Sequence, residues 1–156
     1  MATTTKPSFL GLLNVLAVGE TAAEQYLLAW ANTTKDKRLA KTLRYVAMRE
    51  GEHGKAFAKR MLELGYEVRW PDSALSEKSM KIATSTKTDA QKFRSFKLGK
   101  PSPRVDVFDS MFMDKTIDPI TGGLLGRYIA EERDSTRRLA VEYDRLRAKE
   151  LAANKK

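Results

Sequence analysis

The chain has 156 residues, which is the length of a single domain with a substantial hydrophobic core. It has no cysteine and one histidine, His53, so disulfides, thiolate metal sites, thiol catalysis and sites that need several histidines from one chain are excluded. The net charge is +9, and residues 76–104 alone carry +6. Such a basic field attracts nucleic acid, anionic lipid or an acidic partner, but it is equally compatible with an ordinary solvated surface.

The first predicted element is a helix from about Pro7 to about Asn32. Apolar residues recur at steps of three and four, the period of one helix face. They are Phe9, Leu13, Leu16, Ala23, Leu27 and Trp30. Glu20 falls in the middle of this stripe. Because Glu20 and Glu24 would lie in lipid, and no basic n-region or cleavage site marks a signal peptide, we expect a cytoplasmic protein that does not enter a membrane.

The second predicted element is a long helix that follows the break at 32–34, where the sequence Asn-Thr-Thr offers turn and N-cap residues. Its apolar stripe consists of Leu39, Leu43, Val46, Phe57, Met61 and Leu64. Glu50 and His53 occupy the centre of that stripe, and Gly65 stands where a helix C-cap is expected. The short connection predicts that the first two helices are antiparallel neighbours.

A long crossover is predicted over about 66–103. Two short helices are expected within it, near 74–84 and 88–98, and the Gly-Lys-Pro-Ser-Pro sequence at 99–103 ends the second. A third long helix is then expected from about Pro103 to about Thr116. The acidic residues at the matching depth of that helix are Asp106 and Asp109.

The last predicted helix begins with Asp118 as its N-cap and Pro119 in its first turn. Its apolar stripe contains Leu125, Tyr128, Leu139, Tyr143 and Leu146, with Glu132 in the middle. The polar tail at about 149–156 is expected to fray. The whole chain, 1–156, is therefore predicted to be a single all-α domain.

Three of the predicted helices thus place a glutamate in the centre of an apolar stripe: Glu20, Glu50 and Glu132. An ionised carboxylate that faces a core is costly unless a cation or a hydrogen-bond donor meets it. His53 projects from the same face as Glu50, three residues away, so both can reach one ion. His53, and not the adjacent Arg49, is therefore the residue expected to act together with Glu50. An oxygen-rich site of this kind suits iron or manganese. The structural alternative is a set of buried carboxylates that are hydrogen-bonded or salt-bridged without a metal.

The pattern Glu20…Glu50-x-x-His53 resembles the first half of the ferritin-like di-iron carboxylate proteins, particularly their rubrerythrin-like branch. The sequences at 19–23, 49–54 and 127–135 look like the metal-binding helices of that family. The resemblance implies a four-helix bundle whose second and third helices are joined by a long crossover. It also implies a non-haem metalloprotein that acts on oxygen or peroxide. Tyr128 lies one turn before Glu132, within reach of donating to a metal-bound oxygen species, but an aromatic residue on a helical stripe is more typical of the core.

The second half of the chain departs from that pattern. Ser135 stands three residues after Glu132, where the family has a histidine, and no glutamate lies in 103–116. Only Asp106 and Asp109 remain to complete a second metal position. The sequence therefore leaves one or two ions open, and it predicts that Ser135→His raises the metal stoichiometry.

Three functions stay open at this point. The first is a metal-dependent oxidase or peroxidase, which would need an electron donor that the sequence does not identify. The second is a basic ferritin-like protein that binds nucleic acid or another acidic partner through 76–104. The third is a bundle with a vestigial metal site that serves as an interaction module. A homodimer, formed through apolar residues on the outer faces, is also left open.

Overall fold

The computed structural model describes residues 6–72, 74–99 and 113–154, with the backbone alone for 74–76. Within these residues the chain forms five α-helices and no strand, so the predicted all-α class is confirmed. The helices are α1 Leu10–Thr33, α2 Lys37–Glu63, α3 Ala74–Ala83, α4 Asp89–Phe96 and α5 Pro119–Ala153. No helix in the described ranges has the length and apolar character needed to cross a membrane.

Helices α1 and α2 form an antiparallel hairpin with a connection of three residues, 34–36. The N-cap of α2 is Asp36, whose side chain accepts a hydrogen bond from the Leu39 amide at 3.0 Å. The cap lies two residues beyond the predicted Asn-Thr-Thr break. Asp36 is favoured there because its carboxylate both accepts from the backbone and suits the positive end of the helix dipole. At the other end of α2, Gly65 has φ +83°, as its predicted C-cap role requires.

The two hairpin helices approach each other closely at Gly54. A Cβ atom at this position would lie 2.6 Å from Thr21 Oγ1 and 3.1 Å from the Thr21 backbone nitrogen. Any larger residue would therefore push α1 and α2 apart. Gly54 follows His53 directly, and Thr21 follows Glu20, so this contact sets the separation of two predicted metal ligands.

The two short helices of the crossover are present as α3 and α4. Thr88 and Gln91 form a capping box at the start of α4. Lys92 of α4 is buried and donates to the Ala83 carbonyl at 2.7 Å, while Arg94 forms an ion pair with Glu150 of α5. Lys92 and Arg94, two of the six cations that the structure describes in the basic segment 76–104, thus have structural partners, and Lys92 is unavailable to any ligand at the surface.

The predicted third long helix lies mostly outside the described residues, as do Asp106 and Asp109. Its predicted end near Thr116 is wrong, since the residues from Asp114 to the start of α5 form a turn. The Asp114 side chain accepts from the Thr116 amide at 2.9 Å and from the Thr116 hydroxyl at 2.6 Å. Short polar side chains that bond the nearby backbone favour such turns over helix.

Helix α5 begins where the sequence predicts, with Asp118 accepting from the amides of Ile120 and Thr121. It continues to Ala153, so the tail predicted to fray from about residue 149 is helical to that point.

Two apolar clusters fill the interior at different heights along α1, α2 and α5. One surrounds Trp30, Leu43 and Phe93, and the other surrounds Leu13 and Phe57. On each long helix, the predicted glutamate falls between the residues that belong to one cluster and those that belong to the other. A polar layer is therefore enclosed between two apolar layers.

Candidate metal centre

The polar layer consists of four side chains from three helices. Glu20 comes from α1, Glu50 and His53 from α2, and Glu132 from α5, and one potential ligand atom from each lies within 4.8 Å of the others. Glu50 and His53 are both about 5% exposed, and Glu20 is 9% exposed. The three helices thus bring together the four ligands predicted from the apolar stripes.

His53 Nδ1 is the central atom of this group. It lies 3.8 Å from an oxygen of Glu50, 3.8 Å from an oxygen of Glu132 and 3.9 Å from an oxygen of Glu20. These separations are too long for hydrogen bonds. Three of the buried atoms, Glu20 Oε2, His53 Nδ1 and Glu132 Oε1, have no hydrogen-bond partner, and no other side-chain atom in the described part of the chain is buried without one.

The separations match those of atoms that share one ion. Transition metals bind imidazole nitrogen and carboxylate oxygen at about 2.0–2.2 Å. Two ligands of the same ion are then roughly 3.0–4.3 Å apart, depending on the angle between the bonds. The distances of 3.8 and 3.9 Å at His53 Nδ1 fall within that range. Since three oxygen donors and one imidazole are also a chemically suitable set for iron or manganese, the residues fit a metal ion.

The other ring nitrogen of His53 has a partner that the sequence does not reveal. Nε2 lies 2.6 Å from an oxygen of Glu131, and the second oxygen of Glu131 accepts from Arg127 Nε at 3.0 Å. A histidine that binds a metal usually donates its second ring N–H to a carboxylate, which fixes the tautomer and the direction of the free nitrogen. Glu131 therefore holds Nε2 as the donor and leaves Nδ1 for a ligand.

Without an ion, the layer retains protons. Burial opposes protonation of His53, but its contacts with Glu20, Glu50 and Glu131 raise its pKa to about 10. Burial and the charges of Glu20 and Glu132 raise the pKa of Glu50 to about 9. Burial and the charge of Glu20 likewise raise the pKa of Glu132 to about 7. A cation that enters the layer must displace these protons.

Tyr128 lies against the same layer. Its hydroxyl donates to Glu20 Oε1 at 3.0 Å, and its ring meets the His53 ring edge-on at 5.0 Å. Burial and the neighbouring carboxylates raise the pKa of Tyr128, so the phenol keeps its proton and acts as a donor. Burial opposes ionisation of Glu20, but His53 and Tyr128 outweigh it and lower the pKa of Glu20. The sequence placed Tyr128 beside Glu132; the structure shows that its hydrogen bond goes to Glu20.

A cavity lies on each of two sides of the polar layer. A cavity of about 260 Å³ is lined by Glu20, Glu50, Glu132 and Ser135, with apolar walls that include Leu27 and Leu139. A second cavity, of about 310 Å³, lies between α2 and α5 over His53 and Tyr128. A small molecule next to the carboxylates would thus meet a wall of mixed character, with polar and apolar side chains.

Ser135 occupies the place where the resemblance calls for a histidine, and Arg49 lies beside it. Arg49 Nη1 is 3.3 Å from Ser135 Oγ, 3.2 Å from the Glu131 carbonyl and 2.7 Å from a carboxylate oxygen of Asp134. The apolar stripes gave no signal for Arg49 or Glu131, since both lie off the stripe on their helices.

A scan against protein-family models finds no match to the chain, and searches of the curated proteins and of the solved structures find no match either.

Proposed function

We propose that this protein is a ferritin-like metalloprotein that binds iron or manganese in the polar layer and uses the ion in a reaction with oxygen or peroxide. The proposed ligands are Glu20, Glu50, His53 and Glu132. The observation that carries the proposal is the set of three buried, unpaired atoms that face one another in this layer. Buried polar atoms in proteins nearly always have partners, and one cation shared by these atoms would supply the partner that each of them lacks.

The charge of the layer supports the same proposal. Three carboxylates beside one imidazole would carry a net charge of −3 when fully ionised, and such a group is unstable in an apolar interior without cations. The arrangement of His53 between Glu131 on one nitrogen and the carboxylate oxygens on the other is the geometry of a metal-bound histidine with its outer partner.

The rest of the proposed fold is taken from the resemblance to the ferritin-like proteins. Helices α1, α2 and α5 would form three members of a four-helix bundle, and the fourth would come from the region that includes Asp106 and Asp109. In this arrangement the ligands project inward from facing helices.

Each protein group has a defined task in the proposed reaction. A bound ion would supply the redox chemistry with oxygen or peroxide. Glu131 orients the imidazole, Tyr128 holds the direction of Glu20 by its hydrogen bond, and the 260 Å³ cavity gives a small molecule room beside the carboxylates. Electrons would come from an external donor, whose identity the described residues do not define.

The test is the metal content of protein purified without chelator, compared between two matched variants. Glu50→Gln removes a proposed ligand. Glu142→Gln makes the same chemical change at another buried glutamate, one whose oxygens are bound by Arg38 and Arg145. We expect bound iron or manganese in the wild type and in Glu142→Gln, and little in Glu50→Gln.

A thermal measurement gives a second readout. An ion that binds only the folded protein, at a concentration about 100 times its Kd, stabilises it by roughly 2.7 kcal/mol. For a chain of this size that corresponds to a rise in Tm of about 5–10 °C. If Mn²⁺ and Fe²⁺ leave the Tm of the wild type unchanged, and elemental analysis finds no metal, the polar layer is a structural, proton-sharing cluster and the proposal is wrong.

A further inference from the structure

Arg49 is held in one position by both helices of the α2–α5 pair. Its guanidinium donates to Asp134 at 2.7 Å, to the Glu131 carbonyl at 3.2 Å and to Tyr45 Oη at 2.6 Å, and it stacks on the Tyr45 ring at 4.6 Å. The Arg49 side chain is only 17% exposed. An arginine with this many partners is part of the architecture rather than a mobile surface charge.

The fixed guanidinium reaches the wall of the carboxylate cavity. Ser135 is buried, lines the 260 Å³ cavity together with Glu50 and Glu132, and receives a hydrogen bond of 3.3 Å from Arg49 Nη1. A ligand atom at the position of Ser135 Oγ would hold an ion at about 2.1 Å, and therefore within roughly 5.4 Å of a guanidinium nitrogen. An ion held by a histidine introduced at this position would lie at most one to two bond lengths farther away. Two cations so close in a partly buried site repel each other strongly.

We propose that Arg49 makes the polar layer a one-ion site, because its guanidinium supplies, beside Ser135 and Glu132, the positive charge that a second metal ion would otherwise supply. This inference rests on the proposed function, since it concerns how many ions the same carboxylates hold. Asp134 pairs with Arg49 and so joins Glu20, Glu50 and Glu132 in this count, which gives four negative charges. Two divalent ions together with the guanidinium would exceed them by one, whereas two divalent ions without the guanidinium would balance them.

The geometry changes the result expected for Ser135→His. From the sequence alone, this substitution restores a Glu-x-x-His pair and raises the stoichiometry. With Arg49 in place, an imidazole at position 135 meets a guanidinium, so the single variant should still bind one ion. The double variant Arg49→Gln/Ser135→His removes the cation and supplies the ligand, and it should bind two.

The experiment is anaerobic titration with Mn²⁺, with stoichiometry from equilibrium dialysis and elemental analysis. The matched control is Arg138→Gln/Ser135→His. Arg138 also binds Asp134 and stacks on Tyr45, but the hydrogen bond to Ser135 comes from Arg49. We expect one ion in the wild type, in Ser135→His and in this control, and two in Arg49→Gln/Ser135→His. Two nearby Mn²⁺ ions would also give an exchange-coupled electron paramagnetic resonance signal, which a merely structural role of Arg49 would not produce.

Two results would overturn the inference: two ions in the wild type or in Ser135→His, or one ion in the folded Arg49→Gln/Ser135→His protein. Thermal melts establish that each variant folds. If the glutamine variant does not fold, Arg49→Met/Ser135→His fills the same space without charge and must bind two ions. Failure of the proposed function looks different, because the wild type would then bind no ion at all.

Discussion

Two buried polar clusters lie on α2, two turns apart, and they differ in how their atoms are partnered. At Arg60, the three guanidinium nitrogens donate to Thr121, Asp118 and Glu63 at 2.9–3.0 Å. At His53, one ring nitrogen is bound by Glu131, and the other faces three carboxylates without a hydrogen bond to any of them. The first cluster is complete within the chain, whereas the second leaves three buried atoms without a hydrogen-bond partner. This lack of partners, and not the burial of charge alone, is what supports the proposal of a cation site.

The strongest test of this difference replaces the central side chain of each cluster in turn and measures both metal affinity and stability. His53→Ala should lower metal affinity by at least about 100-fold, more than the loss of an outer partner usually costs, because a ligand atom is lost and nothing replaces it. Arg60→Met should leave the affinity unchanged but lower the free energy of unfolding by about 1–2 kcal/mol, since Asp118 loses a charged partner while staying one-third exposed. Mn²⁺ titration and urea unfolding of both variants measure the two quantities. A large loss of affinity in Arg60→Met would remove the distinction.

The pH dependence sharpens the comparison. As pH rises, the stability of the metal-free protein and the affinity for metal should change in opposite directions. The folded pKa of Glu50 is raised to about 9 and that of His53 to about 10, so the metal-free fold binds more protons than the unfolded chain between pH 6.5 and 9. Its free energy of unfolding should therefore fall as pH rises through this window. Metal binding must release those protons, so affinity should rise about tenfold per pH unit for each proton displaced.

Unfolding of the metal-free protein at pH 6.5 and 8.5, together with Mn²⁺ titrations at pH 6.5 and 7.5, measures both slopes. The control is Glu50→Gln, which carries no titrating carboxyl at that position and should flatten the fall in stability. Metal-free stability that increases over this window would contradict the protonation states described for the layer.

A smaller effect is expected at the outer partner of His53. Glu131→Gln still accepts a hydrogen bond from Nε2 but loses the negative charge that favours the imidazole as a ligand, so metal affinity should fall about tenfold. Arg127→Gln removes the hydrogen bond to Glu131 and an exposed ion pair with Glu52, but it leaves the Glu131 carboxylate in place and should cost less. Competition with a fluorescent chelator resolves differences of this size. Equal losses in the two variants would show that the carboxylate charge is not what matters.

The periodicity of apolar residues was enough to predict the helices α1, α2 and α5 and the common layer of Glu20, Glu50, His53 and Glu132. Each of these depends on which face of a helix turns inward, and that is a local property of the sequence. The partners of the layer were not predictable in the same way. Whether Glu131 reaches His53, and whether Arg49 reaches Ser135, depends on the distance between α2 and α5 and on side chains that leave the apolar stripe.

The turn at 114–118 shows a different limit of prediction from the sequence. The apolar and charged residues before Asp118 are compatible with a helix that continues to Thr116. A single side chain, Asp114, decides otherwise by binding the backbone and hydroxyl of Thr116. Competition of this kind between a side chain and the helical backbone is invisible to a periodicity argument.

The three-residue connection between α1 and α2 also has a consequence for the order in which the protein assembles. Closing so short a loop costs little entropy, and contacts that are local along the chain form early in folding. The hairpin carries Glu20, Glu50 and His53, whereas Glu132 arrives only when α5 docks. If the layer binds metal as proposed, a nascent chain in the presence of metal would meet the ion with three of the proposed ligands already side by side, and the captured ion would then guide α5 to its place. Metal supply would in this way act on the rate of maturation as well as on the stability of the finished protein.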